Sequence, residues 1–488
     1  MNLYSLFLKN FDKKKFIVFG EEVLTYENFK DEVEKLSYKL NHYKNKKIAI
    51  ISKNQKIIGN LLLVTAKLGS TLITINENAS NFQINAQLKL TKPDLIICSD
   101  KKKIKKLKFS KQKITIDQIQ NLKNVINKVQ KKNTDKDYII TFSSGTTSDP
   151  KAVVFSQNIK FKRFMHIKEL YEITAKDNIL SVSPLDHSLG QRLFFLSILN
   201  GISFIYKEKY NFNEIKKTVK KFNITFAILP SNYLFLLKNK IKNKKIFIKK
   251  IVSGASALSV NDKKDLIKTG VKFYEMYGAS EIGTVTSFKL KKNKLISVGK
   301  VLKNMSIKIV DEKNNFLKRG DIGEILCKSP LRFKYYYNNK NLTDRAFFKN
   351  YFRTGDLGKL DKDDYLYFIS RKQDLIISSG KNIFPSDIEK ELLKINYIKE
   401  AAVIGLKDKF FGEVVFAVCV PTSKINNIEE KIRKILSEKL STYQLPLAYD
   451  FIKELPKNRL GKIEKKFLRE KYNNLKLDLT KNLRKLLN

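Results

Sequence analysis

Cysteine is scarce. Cys98, Cys327 and Cys419 are the only three in 488 residues, widely spaced and odd in number. They supply neither a disulfide framework nor a zinc site, and they point to a reducing compartment. Long apolar runs are missing too. The best membrane candidate, 57–75, is interrupted by Lys67 and two glycines, and the run 193–206 falls short of the roughly 20 residues a bilayer demands. Both read better as core helices or strands. The N-terminal residues turn basic too soon for a signal peptide, so a cytoplasmic chain with no transmembrane segment is expected. Acidic residues number 48 against 96 Lys+Arg, a formal charge of +48, and only 11 of those cations are arginine. A specialised nucleic-acid binder gathers its cations on one face and favours arginine for bidentate contacts. Lysine spread evenly among Asn and Ile looks instead like compositional drift, and no specific nucleic-acid partner is expected.

What is present is core material. Apolar residues make up 42% and aromatics 11%, which excludes a disordered or collagen-like chain. From residue 46 onward, strand-length apolar runs alternate with helix-length stretches (KKIAIIS, a helical span to Gly69, STLITI, DLIIC), the α/β signature. The rhythm returns at 179–182, 201–206, 225–229 and 250–253. After Ser297 it gives way to short strands with turn signals, which predicts a β-rich subdomain. From Ile383 a new unit begins: helix 386–394, strands 401–406 and 414–422, helix 428–440. The segment 101–137 is lysine-heavy and weakly patterned, and reads as a solvated surface excursion. There are no internal repeats.

Residues 138–156, YIITFSSGTTSDPKAVVFS, are the most informative. A β-rich run enters a loop of Ser143, Ser144, Gly145, Thr146, Thr147 and Ser148, and Lys151 opens a second β-rich run. Hydroxyls and backbone N–H groups around a glycine, followed by a lysine, suit a polyphosphate. It is not a Walker loop, because GK[ST] is absent and a strand follows. Alone, the segment reads equally well as a Ser/Thr-rich hairpin turn. Other segments follow in order: PLDHSLG (184–190), YGASE (277–281), GEI (323–325), YFRTGDLG (351–358), SRKQDLIISSGKNIFPSDIE (370–389) and LPKNRLGKI (455–463).

This ordered set resembles the superfamily of adenylate-forming (AMP-binding) enzymes, which includes acyl-CoA synthetases, peptide-synthetase adenylation domains and beetle luciferases. The resemblance spans about 16–469 and is most like the acyl-CoA synthetases. It implies a large multi-subdomain N-terminal α/β domain (1–372) with a β-rich subdomain, plus a small mobile α+β C-terminal domain (373–488). It implies ATP, Mg²⁺ and coenzyme A as cofactors, and activation of a carboxylic acid to acyl-AMP followed by transfer to CoA. Ser144, Gly145, Thr146, Thr147 and Lys151 would wrap the β/γ-phosphates. Glu281 would help hold Mg²⁺, Ser280 would hydrogen-bond a phosphate, and Tyr277 would stack on adenine, beside the backbone of 253–256, with Gly278 also among the cofactor-binding residues. Asp356, in what reads as a glycine-flanked turn, would accept from the ribose hydroxyls, with Arg371 as a second ribose contact. His187 would gate the ATP and carboxylate pockets. Lys462 would bridge the substrate carboxylate and the α-phosphate.

The resemblance also implies that the C-terminal domain rotates between the two half-reactions. The hinge would fall at Gln373, where the family has Asp or Lys. Gly380 would lie against the pantetheine arm, where a Cβ would obstruct it. Ser148 and Ala152 stand where the family has glycines, and Ser280 where it has threonine, but no required chemical group is lost. The alternative acceptor is an acyl or peptidyl carrier protein loaded by a stand-alone adenylating enzyme. Ser188 stands where amino-acid adenylating domains carry an aspartate, and no carrier domain is expected after Arg469. The pocket walls implied at 189–199, 253–258 and 278–285 read as small and apolar, which favours an aliphatic or aromatic acid, as in fatty acid metabolism, over a highly charged one.

Overall fold

The computed structural model describes residues 2–10, 12, 14–109, 111–125, 134–143, 150–208, 212–230, 233–234, 248–254, 260–409, 411–423, 425–457 and 463–473. They form two compact units. The first is Met1–Ile296 with Leu302–Ser306 and Lys328–Phe352; the second is Ser297–Val301, Ile307–Cys327 and Arg353–Asn488.

In the first unit, one sheet runs Gln112–Thr115, Leu95–Cys98, Lys47–Ile51, Thr71–Ile75, Ile139–Ser143, Lys151–Phe155. All pairs are parallel except the last, which is antiparallel. A second sheet runs Gly283–Lys289, Lys272–Ala279, Lys250–Gly254, Phe226–Pro230, Asn178–Ser181, Ser203–Tyr206, Phe16–Phe19, Glu22–Thr25, parallel inside and antiparallel at both ends. Parallel strands buried on both faces require continuous apolar runs, which is what IAII, TLITI and LIIC supply.

The two would-be membrane runs resolve here. Residues 57–75 are split between the helix Gln55–Leu68 and the strand Thr71–Ile75. The helix starts where the Asn54 side chain accepts from Lys56 and Ile57 N–H and stops at Gly69, which has φ 69°. The run 193–206 ends the helix Ser188–Ile198 and forms the strand Ser203–Tyr206. Phe194 of that helix packs on Phe19, Phe29 and Phe204, in a core that also holds Ile48 and Leu72 of the other sheet. Among the described residues, no helix is long and apolar enough to cross a membrane.

In the second unit, Ser306–Val310, Gly323–Lys328, Tyr351–Leu360 and Leu366–Arg371 form the β-rich part. The C-terminal part is a sheet ordered Lys381–Ile383, Ile376–Ser378, Gly412–Pro421, Ile398–Asp408, with Ala448–Phe451 parallel to Gly412–Pro421. Successive residues of Ile398–Asp408 serve opposite faces, as a period of two requires. Ala401 and Val403 join Ile388, Leu392, Ile432 and Leu436 of the helices Pro385–Leu392 and Ile428–Ser437, while Ala402 and Ile404 join Leu468 and Tyr472 of the helix Lys465–Tyr472.

The mixed α/β class expected from the alternation is observed, with a large N-terminal part and a small C-terminal domain. Two local readings differ. Within 101–137, Gln112–Thr115 is an edge strand, with Leu107, Ile114 and Ile119 buried; a few apolar residues anchor it although lysine dominates its composition. Asp356 lies inside the ten-residue strand Tyr351–Leu360 rather than in a turn.

Candidate active site

Glu281 sits in the short connection between the antiparallel strands Lys272–Ala279 and Gly283–Lys289. The register slips between Tyr277 and Gly278. A Cβ on Gly278 would come within 2.0 Å of the Gly283 carbonyl oxygen, so the tight return demands glycine there. Tyr277 is half-buried, opposite Thr286 in the ladder. The Glu281 side chain is buried, and its Oε1 accepts from the Tyr336 hydroxyl at 3.1 Å. Burial first, and then the Glu281 charge, push the Tyr336 phenol well above its ordinary pKa, so it stays a donor.

Arg163, from the helix Gln157–Leu170, holds this connection from beneath. Its Nε donates to Leu331 O at 2.8 Å, Nη1 to Ser280 O at 2.8 Å and Ser188 Oγ at 3.2 Å, and Nη2 to Glu281 O at 3.0 Å. Burial and the neighbouring Arg192 push its pKa down, and Glu281 opposes them. Lys160, one turn earlier, is also buried; it donates to Gln191 Oε1 at 2.6 Å and lies 3.9 Å from the Phe155 ring centre. The Arg163 guanidinium carbon is 4.5 Å from the same ring, a cation–π arrangement.

His187 precedes the helix Ser188–Ile198, and its Nε2 is 3.9 Å from Asp186 Oδ2. Gly190 follows three residues on, where a Cβ would lie 2.1 Å from the Pro184 carbonyl oxygen. Gly190→Ala is expected to lower stability by about 1–3 kcal/mol, the usual cost of overpacking, seen as a lower urea midpoint at unchanged slope. An unaltered midpoint would mean that the PLDHSLG segment is slack.

Lys151 begins the strand Lys151–Phe155 and faces Ser143 across the antiparallel pair. The two strands expected around the phosphate loop are therefore present. Ala152 and Val154 bond to Tyr337 and to Lys334 and Tyr335. Tyr336, between them, is the residue that reaches Glu281. Lys151, His187, Ser280 and Glu281 thus stand on segments tied into one frame by Arg163 and Tyr336. Ser144, Gly145, Thr146, Thr147 and Lys462 lie outside the described residues.

In the second unit, Asp356 and Arg371 are paired across antiparallel strands, with Arg371 Nε 2.8 Å from Asp356 Oδ1. Asp356 is buried, and its N–H donates to Thr354 Oγ1 at 3.1 Å, which in turn donates to Ile325 O at 2.7 Å. Burial, followed by the Asp356 charge, pushes the nearby Cys327 thiol upward. Gly380 and Ser379 form the two-residue turn between Ile376–Ser378 and Lys381–Ile383, with φ of 74° and 47°. A Cβ on Gly380 would meet nothing within 4 Å. The hinge candidate Gln373 lies in the 3-10 turn Lys372–Asp374, and Asp374 is ion-paired with Arg469.

Sequence reading missed Arg163, Lys160, Arg192 and Tyr336. One signal was available: arginine is rare in this chain, and two of its eleven copies, Arg163 and Arg192, fall on the two helices that frame the site.

A family model described as AMP-binding enzyme matches residues 7–337, and one described as AMP-binding enzyme C-terminal domain matches 387–462. The chain belongs to the AMP-binding enzyme family. A 2-succinylbenzoate–CoA ligase of Bacillus licheniformis is 28% identical over 407 residues, covering 81% of this chain and 83% of that protein. A Bacillus subtilis long-chain-fatty-acid–CoA ligase is 32% identical over 342 residues, covering 68% and 61%. Among solved structures, the o-succinylbenzoate-CoA synthetase MenE of B. subtilis in complex with AMP shares the fold at TM-score 0.87 and 22% identity, covering 98% of each chain. ATP-bound MatB of Rhodopseudomonas palustris also gives a TM-score of 0.87, at 22% identity, covering 97% and 99%.

Proposed function

We propose that this chain is an AMP-forming acid–thiol ligase that converts a carboxylic acid and ATP to acyl-AMP and pyrophosphate, then passes the acyl group to CoA. The observation that carries the reading is the frame just described, in which one buried arginine ties together the segments bearing His187 and Ser280–Glu281. Joining two anions requires fixed positions and positive charge where charge develops. Lys151 supplies such charge beside the loop 144–149, and Asp356 offers a buried carboxylate to ribose hydroxyls, steadied by Arg371. Tyr277 and Gly278 border the adenine, Ser280 bonds a phosphate, and His187 lines the way to the acid. Ser144, Gly145, Thr146 and Thr147 cradle the phosphates, and Lys462 meets the carboxylate and α-phosphate.

Glu281 fits Mg²⁺, which takes one or two protein carboxylates and completes its shell with phosphates and water. No cluster of three or more possible ligands exists among the described residues, in keeping with that sparse mode. When bound, Mg²⁺ offsets phosphate charge. A cytoplasmic setting is part of the reading, supported by three buried cysteines outside disulfides. The decisive experiment is pyrophosphate release over a panel of acids, fatty acids included, each with and without CoA. Acyl-CoA as product supports the proposal; acyl-AMP accumulating until a carrier protein is added overturns the CoA assignment.

The C-terminal domain is proposed to begin after Lys372 and to turn about Gln373 between the half-reactions. Gly380 would then border the pantetheine path. Gly380→Leu adds strain of roughly 1–2 kcal/mol in the left-handed region, so Gly380→Asn, which tolerates positive φ, is the cleaner probe. Both variants are expected to form acyl-AMP and to lose most acyl transfer to CoA. Loss of both steps in the Asn variant would assign Gly380 to the hairpin alone.

A further inference from the structure

Arg192 leaves donors unused. It lies on the Ser188–Ile198 helix at 7% exposure, and among the described residues its one hydrogen bond runs from Nη1 to Thr284 Oγ1 at 2.9 Å. Its Nε is buried without a partner. A guanidinium carries five N–H donors in a rigid fork, and buried cations are normally paired. No ion pair involves Arg192 among the described residues, and burial draws its pKa down to about 10. Beside it, His166 Nε2 is also buried without a partner. Burial, then the Arg192 charge, lowers His166 to about 4, which leaves the imidazole neutral at pH 7.

The neighbouring cations are already committed. Lys160 is held by Gln191 and the Phe155 ring, and Arg163 by three carbonyls and a hydroxyl. Of these three described cations, Arg192 is the one with spare capacity. Its position is informative: it stands five residues beyond His187, and its partner Thr284 stands three beyond Glu281. Both belong to the walls assigned above to the acid pocket, 189–199 and 278–285, which read from sequence as small and apolar. A buried guanidinium changes that reading.

We propose that Arg192 binds a second carboxylate on the acid substrate, remote from the carboxylate that is adenylated, so that the enzyme selects dicarboxylic acids. The proposal rests on the ligase reading and sharpens its substrate class. A planar carboxylate accepts bidentately from a guanidinium. An acid with a neutral far end would leave those donors dry, at the cost of an unpaired buried polar group.

The test is pyrophosphate release with pairs of acids of matched length, each pair a dicarboxylate and its half-amide, over a series of lengths and with an aromatic pair included. The wild-type enzyme is expected to prefer the dicarboxylate by about 10- to 100-fold in kcat/KM, mostly through KM, the size of one charge-assisted hydrogen bond. In Arg192→Gln the ratio falls toward one, and in Arg192→Lys it is intermediate, because an ammonium replaces a fork. Indifference of the wild type across every pair, or survival of the preference in Arg192→Gln, overturns the proposal. Failure of every acid to release pyrophosphate would instead sink the ligase reading. Binding then decides the subsite: the dicarboxylate alone raises the melting temperature of the wild type and not of Arg192→Gln, and equal shifts or none overturn it. If the Gln variant does not fold, the Lys variant carries the same comparisons.

Discussion

Lys462→Ala is expected to reduce carboxylate-dependent ATP–pyrophosphate exchange by about 10²–10³-fold, the range for removing one preorganised electrostatic stabiliser, while largely sparing acyl transfer from preformed acyl-AMP to CoA. The reasoning is electrostatic. Attack of a carboxylate on a phosphorus that already carries negative oxygens brings like charges together, and a single ammonium between them lowers the barrier most where charge is densest. Lys462 is one lysine among many in a basic segment, so charge alone does not mark it. Its neighbours do: LPKNRLGKI closes the ordered motif set, and the C-terminal family model reaches residue 462. The measurement is isotope exchange for the first half-reaction and thiol consumption from synthetic acyl-AMP for the second. Exchange persisting at wild-type rate would remove Lys462 from the mechanism.

Glu281→Gln should have a comparable effect on a different observable. The substitution preserves shape and leaves an amide oxygen for Tyr336 to donate to, so the melting temperature should hardly move. The lost charge should raise the Mg²⁺ concentration needed for half-maximal pyrophosphate release and lower kcat by about 10²-fold. Tyr336→Phe, which removes one donor and no charge, is expected to cost about 10-fold or less. If Glu281→Gln keeps the wild-type Mg²⁺ dependence, the carboxylate is a structural acceptor for Tyr336 and nothing more.

The sheets were legible in the sequence because strands buried on both faces need unbroken apolar runs, and KIAII, TLITI and LIIC are such runs. Asp356 was misread because TGDLG has the composition of a turn. Its glycines serve a strand instead: Gly355 takes φ of 67°, and a Cβ on Gly358 would lie 2.5 Å from the Tyr367 carbonyl oxygen. Arg163 was invisible for a different reason. In KFKRFMH the cations dominate, and a hydropathy pattern assigns them to solvent, yet Lys160 and Arg163 are buried while Lys162 is exposed. What pays for their burial is a set of acceptors 25 to 168 residues away in the chain, and no local window contains them. The same holds for Glu281 and Tyr336, separated by 55 residues.

Arg163 also has a kinetic meaning. Its bonds to residues 188, 280, 281 and 331 form only after four distant stretches of chain have come together, and closing such long loops costs entropy before any bond repays it. The contact is therefore expected to form late in folding, with a low φ-value for Arg163 substitutions, and to act mainly by slowing unfolding. The amides of the Ser280–Glu281 connection would exchange with solvent only when the surrounding core opens as a whole. A connection proposed to receive a nucleotide and a metal in each turnover is, on this reading, part of the slowest-breathing portion of the molecule.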